Sequence, residues 1–203
     1  MYKIILASAS PRRKEIMERM GIEYEVLVSD VEEVVEETEP SKMVSALALL
    51  KTEAVLSKYR QMENRADNFI IIGADTMVFY NGQALGKPKD EADAFRMLSQ
   101  LSGNWHEVIT GVSIIINTSN NIEKISFAVE TKVAMQELTK QQIKDYIATG
   151  EPMDKAGSYA IQGQFGIFIR EIVGDYYNVV GFPIAKIYEV LLKKGIDIKN
   201  IKK

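Results

Sequence analysis

Short apolar runs alternate along this chain with longer segments whose apolar residues recur every three or four positions. Tyr2–Ala7 is mostly apolar and of strand length, and such a run bounded by turn residues reads as a buried strand. Ser8-Ala9-Ser10-Pro11 punctuates it; serine is a preferred N-cap and proline suits the first helical position. Pro11–Met20 carries Ile16, Met17 and Met20 at helical spacing, with Gly21 where a helix C-terminus favours glycine. Tyr24–Val28 predicts a second strand. Ser29–Glu39 is acidic, and Pro40-Ser41 opens a long helix over Ser41–Tyr59 with Val44, Leu47, Ala48, Val55 and Leu56 as its apolar positions.

Phe69–Ile72 predicts another buried strand, ending in Gly73-Ala74-Asp75-Thr76. Met77–Tyr80, Asn81-Gly82 and Gln83–Leu85 form a hairpin signal, since Asn-Gly supplies the positive φ values of a two-residue turn. Asp90 caps a helix running to Leu101, with Gly103 after it. Val108–Asn117 and Ile122–Met135 read as two long strands about a Ser-Asn-Asn turn. Thr139 and Gln142 form a capping-box pattern for a helix to Thr149, stopped by Gly150. Gly157–Gly166 is a glycine-punctuated loop, Ile167–Val173 a strand and Pro183–Lys194 a last helix. Strand–helix units mixed with long hairpin strands predict one α/β domain over residues 1–203, built on a mixed sheet.

Composition narrows the chemistry. The chain has 203 residues, 46% of them hydrophobic and 26% charged, which is ordinary for a globular protein. It contains no cysteine, so disulfides, thiolate zinc sites and a cysteine nucleophile are excluded. His106 is its single histidine, which rules out paired-histidine metal motifs; beside Trp105 at a strand start it reads as structural. A net charge of −3 argues against nucleic-acid and anionic-membrane partners. The N-terminal residues show no secretory pattern and no apolar run reaches the ~20 residues of a membrane span, so a cytoplasmic location is expected.

Carboxylates, lysines, arginines and hydroxyls remain as candidates. Ser8–Arg13 places a serine-rich turn before a helix whose first turn carries Arg12 and Arg13. Helix N-termini attract anions, and guanidiniums match phosphate oxygens. The bland alternative is a solvated pair of cations, although cations there oppose the helix dipole. Asp75, at a strand's carboxyl end, reads equally as a base or metal ligand and as a turn-forming aspartate. Lys87 in Gly86-Lys87-Pro88 and Lys51 on the long helix read as surface residues when taken singly. The acidic Asp30–Glu39 stretch reads as a solvated face, one member of which could serve a metal. Asp154–Gly163 mixes polar side chains with small residues, as a ligand-lining loop does, and Gly174–Tyr177 reads equally as a plain turn.

Taken together and in order, Ser8-Ala9-Ser10-Pro11-Arg12-Arg13, Gly73-Ala74-Asp75-Thr76, Gly86-Lys87-Pro88, Asp154–Gly163 and Gly174–Pro183 closely resemble the Maf family of nucleoside triphosphate pyrophosphatases. Gly-Ala-Asp-Thr followed by Ala-Ile-Gln-Gly is similar to the dTTP/UTP branch, whereas 7-methyl-GTP-directed relatives carry Gly-Ser-Asp-Gln. The resemblance implies hydrolysis of a nucleoside triphosphate, dTTP or UTP and in some cases CTP or modified pyrimidines, to monophosphate and pyrophosphate. It implies a divalent metal cation (Mg2+, Mn2+ or Co2+). The implied fold is a mixed twisted α/β sheet with flanking helices, two lobes around a central cleft, related to inosine triphosphate pyrophosphatases and often a homodimer.

Residue by residue, the resemblance makes Asp75 the proton acceptor and ties Arg12, Thr76 and Gln162 to base specificity. Ser8, Arg13, Glu33, Lys51 and Lys87 match other cleft positions. The mechanism expected from this has Asp75 as general base, Glu33 with Asp75 holding the metal, and Lys51 and Lys87 stabilising the departing pyrophosphate. Glu32 adjoins Glu33, and a slip of one residue would exchange them. Phe182 stands where the family often has leucine, a packing difference outside the chemistry. The family is also associated with arrest of septum formation, so the rival expectation is a nucleotide-bound regulator of division with incidental hydrolysis. The cellular role favoured here is house-cleaning of the nucleotide pool.

Overall fold

The computed structural model describes residues 2–201. In chain order its elements are β1 (Lys3–Leu6), α1 (Pro11–Arg19), β2 (Glu25–Val26), α2 (Pro40–Arg60), β3 (Phe69–Tyr80), β4 (Gln83–Leu85), α3 (Glu91–Leu101), β5 (Trp105–Asn117), β6 (Ile122–Met135), α4 (Lys140–Ile147), β7 (Ile169–Val173), α5 (Tyr176–Val180) and α6 (Ile184–Lys193). Short 3-10 turns at Glu151–Asp154, Ala156–Ser158 and Gln164–Phe168 occupy the segment between α4 and β7. The strands form one mixed sheet in the order β2-β1-β3-β5-β6-β7, with β4 joined to β3 off that path. β1 is parallel to β2 and β3, whereas β4 and β7 run antiparallel to β3 and β6. Parallel neighbours need crossovers, and α1 and α2 supply them. This is the expected mixed α/β architecture.

Two compact units divide the chain: Met1–Asp75, Thr110–Ala128 and Gly181–Lys203 form the first, and Thr76–Ile109 with Val129–Val180 the second. In the first, Ile5, Ala7, Ile71 and Ile115 pack with Val55, Leu56 and Tyr59 of α2. Val55 and Leu56 belong to the stripe visible in the sequence, and Tyr59, at the end of the expected helix, meets Phe69 edge-on at 4.8 Å between ring centroids. In the second, Ala94, Met97, Leu98 and Leu101 of α3 pack with Ile143, Tyr146 and Ile147 of α4. Spacings of three and four put each set on one helix face, so each face buries against the other elements of its unit. Among the described residues no helix is long and apolar enough to cross a membrane.

Several elements differ from expectation for identifiable reasons. Gly73–Thr76 do not end a strand, because β3 runs unbroken to Tyr80. Its apolar first part pairs with β1 over Phe69–Ile72, and β4 takes over as partner at Val78–Tyr80. A change of partner therefore stands where the sequence suggested an end. Gly174–Tyr177 leads into the short helix α5, with Asp175 Oδ1 accepting the Tyr177 N–H at 2.7 Å. Ser10 occupies the N-cap of α1 without a side-chain capping bond, whereas Glu39, the last residue of the acidic stretch, caps α2 by accepting the Ser41 and Lys42 N–H groups. The Asn81-Gly82 hairpin and the Thr139–Gln142 capping box form as expected.

His106 is 1% exposed, and its Nε2 lies 2.8 Å from the Tyr159 hydroxyl. Burial pushes its pKa down to about 4, so it is neutral at physiological pH. Its place is inside the second unit's core, as the structural reading expects.

Candidate active site

The chain leaving β1 reaches Ser8, which is 6% exposed. Its Oγ accepts hydrogen bonds from the Ser10 N–H at 3.2 Å and from Arg13 Nη1 at 2.9 Å. Arg13 also donates through Nε to the Gly181 carbonyl at 2.8 Å. The guanidinium fork thus ties the first turn of α1 to the turn after β1 and to the residues that precede α6. Desolvation pulls Arg13 down to about 10, the Asp75 carboxylate raises it, Arg12 lowers it and Glu33 raises it again. A cation with two carboxylates in its field remains charged at neutral pH, and its fixed fork suits phosphate oxygens.

A second cation stands on α2. Lys51 Nζ pairs with Asp75 Oδ1 at 2.6 Å and with Glu33 Oε2 at 2.9 Å. The Lys51 and Asp75 side chains are 19% and 11% exposed, while that of Glu33 is 53% exposed. The close approach of β3 to α2 brings this pair together. A Cβ at Gly73 would lie 2.5 Å from Thr52 Cγ2 and 3.5 Å from the Ala48 carbonyl, so only glycine lets the two backbones come this near. Gly73 and Asp75 are two residues apart in a strand and share a face. The face that touches α2 at Thr52 therefore presents Asp75 to Lys51, the residue before it. Thr52 Oγ1 is itself fixed, 2.7 Å from Ser113 Oγ.

The first unit thus brings Ser8, Arg13, Glu33, Lys51 and Asp75 into one polar group, and Glu33 rather than its neighbour Glu32 is the acid that reaches Lys51. Arg12 sits half-buried in the first turn of α1. Thr76 follows Asp75 in β3 and so points to the opposite face. Thr76, Lys87 and Gln162 belong to the second unit. Lys87 is exposed just past β4, where the Gly86 carbonyl accepts the Gly157 N–H at 3.1 Å. Gln162 is half-buried in the turn before Gln164–Phe168. The Gly181 carbonyl and the Thr52 contact, which hold this group in place, are absent from the sequence reading. A backbone acceptor has no residue signature, and only Gly73 hinted at the close approach.

Among the described residues no three Asp, Glu, His or Cys side chains gather as a metal cluster. Asp75 and Glu33 still fit a hard divalent cation. Mg2+-type ions take one or two carboxylates and complete their shell with water and substrate phosphates. Lys51 occupies one oxygen of each, and Asp75 Oδ2 and Glu33 Oε1 are the second oxygens of the same two groups.

A family model described as "Maf-like protein" matches residues 3–194. The dTTP/UTP pyrophosphatase of Lachnoclostridium phytofermentans is 48% identical over 199 residues, covering 98% of each chain. That of Agathobacter rectalis is 48% identical over 205 residues, covering 98% of this chain and 100% of its own. That of Alkaliphilus metalliredigens is 51% identical over 195 residues, covering 95% and 96%.

Proposed function

The chain belongs to the Maf-like protein family, and we propose that it is a nucleoside triphosphate pyrophosphatase acting on dTTP and UTP. Relatives bearing that name are 48–51% identical to it over nearly their whole length, which favours an enzyme over a division regulator with incidental hydrolysis. Within the chain, the observation that carries the reading is the Lys51 ammonium held between Asp75 and Glu33 in the group that also contains Arg13.

The reaction is attack of water on the α-phosphorus, with cleavage of its bond to the oxygen bridging to the β-phosphorus. The products are the nucleoside monophosphate and pyrophosphate. Such a displacement depends on positioning, charge neutralisation and an oriented nucleophile. Asp75 is the base: held through Oδ1 by Lys51, its carboxylate orients the water and takes its proton. Ser8, Arg12 and Arg13 bind phosphate oxygens, and Arg12 also bears on base choice. Lys51 and Lys87 offset the charge on the departing pyrophosphate. Thr76 and Gln162 read the pyrimidine edge, since an amide both donates and accepts. A divalent cation, Mg2+, Mn2+ or Co2+, held by Glu33 and Asp75, would neutralise part of the triphosphate charge.

Pyrophosphate release from a panel of dTTP, UTP, CTP, purine triphosphates and 7-methyl-GTP, each with Mg2+, Mn2+ or Co2+, tests the assignment. Turnover led by dTTP and UTP is the expected result. Tight nucleotide binding without turnover on any metal would return the regulator reading.

A further inference from the structure

The segment that carries Gln162 is held at both ends by two side chains outside the group described above. Tyr146, on α4 and 4% exposed, accepts the Ala160 N–H on its Oη at 3.2 Å. Glu151, the first residue of the Glu151–Asp154 turn, accepts the Gln164 N–H on Oε1 at 3.2 Å, and its Oε2 is shut off from solvent. Gln162 stands midway between the two tethered residues. Within the turn, the Gly163 N–H donates to the Ala160 carbonyl at 3.1 Å.

The two anchors also lie close to each other. Burial first, and then the neighbouring Glu151 carboxylate, hold the Tyr146 phenol above its ordinary pKa, so its O–H keeps the proton. Tyr146 Oη thus holds the Ala160 N–H, and Glu151 Oε1 the Gln164 N–H, one tether at each end of the turn. Gly163 lies flat against the same carboxylate, and a Cβ there would overlap it. The Tyr146 ring is set in turn against Phe165, 4.8 Å between centroids, and Phe165 is fully buried. A recognition turn with both ends tethered loses little conformational freedom when a ligand arrives.

We infer that Tyr146 and Glu151 are positioning residues for base selection, fixing the Ala160–Gln164 turn so that the Gln162 amide meets the pyrimidine in one orientation. The inference rests on Gln162 reading the base, as proposed above. Neither Tyr146 nor Glu151 touches the nucleotide; both act through Gln162. Side chains that select by hydrogen bonding need such a supporting shell, because a displacement of about 1 Å is enough to lose the bond geometry.

The test is steady-state kinetics on UTP and GTP for Glu151→Ala, Glu151→Gln, Tyr146→Phe, Gln162→Ala and the Glu151→Ala/Gln162→Ala double variant. Glu151→Ala is expected to raise the UTP KM by about fivefold to twentyfold with kcat within about twofold, and to erode the preference for UTP over GTP. Glu151→Gln retains an acceptor for the Gln164 N–H and should recover most of the loss. In the double variant the UTP KM should match that of Gln162→Ala alone, because residues acting as one unit are not additive. Additive effects, or an equal loss of kcat on both nucleotides with the preference intact, would overturn the inference while leaving Gln162 as the reader. An unchanged preference in Gln162→Ala would overturn the base-reading assignment itself, and this inference with it. Should Glu151→Ala fold poorly, Tyr146→Phe removes one hydroxyl only and carries the same comparison.

Discussion

Lys51 Nζ lies 2.6 Å from Asp75 Oδ1 and 2.9 Å from Glu33 Oε2, so a single ammonium joins the two carboxylates assigned to the chemistry. Removing that charge with Lys51→Met keeps the length of the stem but leaves the two acids facing each other. The expected result is a fall in kcat of about 10²-fold, the scale of losing one fixed electrostatic group in an active site. Measured turnover within twofold of the parent would show that Lys51 serves only to pack α2 against β3.

Arg13 makes a two-point contact, to Ser8 Oγ and to the Gly181 carbonyl, that lysine cannot copy. Arg13→Lys should therefore raise the UTP KM about tenfold or more. Ser8→Ala removes one of the two contacts and should give a smaller rise. Equal KM values for Arg13→Lys and the parent would place the guanidinium outside phosphate binding.

The contact between Gly73 and Thr52 predicts a paired effect. Gly73→Ala forces its new methyl against Thr52 Cγ2, at a cost of about 1–3 kcal/mol in stability, with Asp75 displaced two residues along the strand. Thr52→Ser deletes that methyl while keeping the hydroxyl that meets Ser113. In the double variant part of the lost stability and activity should return, as read by denaturant unfolding and UTP turnover. Simple additivity of the two changes would show that the strand shifts freely.

Acid stability depends on His106. Its pKa is about 4 when folded, against the ordinary 6.5, because burial disfavours the imidazolium. As pH falls, the unfolded chain takes up this proton first. The group has no effect on stability above pH ~6.5, and costs about 3 kcal/mol progressively from there down to pH ~4. Unfolding free energies for His106→Gln should lack close to one proton of that dependence, with UTP turnover at pH 8 unchanged. An identical pH slope in the variant would mean that the imidazole titrates normally in the fold.

Much of this could be read from the sequence, because periodicity records which side of an element is buried. The α2 stripe, the Asn81-Gly82 turn and the Thr139–Gln142 box all encode local geometry in local residues. The family motifs likewise pointed to Asp75, Lys51 and Arg13 before any geometry did. Contacts set by distant parts of the chain left weaker traces. Gly181 meets Arg13 across 168 residues through a carbonyl that every residue possesses. The continuation of β3 through Gly73–Thr76 depends on partners on other strands, β1 first and then β4. Glu151 sits three residues before the Asp154–Gly163 motif and looks like surface charge until the turn folds back over it.

In the proposed reaction Asp75 activates the water that attacks the α-phosphorus. The most direct measurement is pyrophosphate release from UTP by the parent and by Asp75→Asn, with UTP binding measured alongside. Asparagine keeps the shape and loses the basic oxygen, so kcat should fall by about 10²–10⁴-fold while nucleotide still binds. Turnover in Asp75→Asn close to that of the parent would contradict the claim and move the base elsewhere in the site.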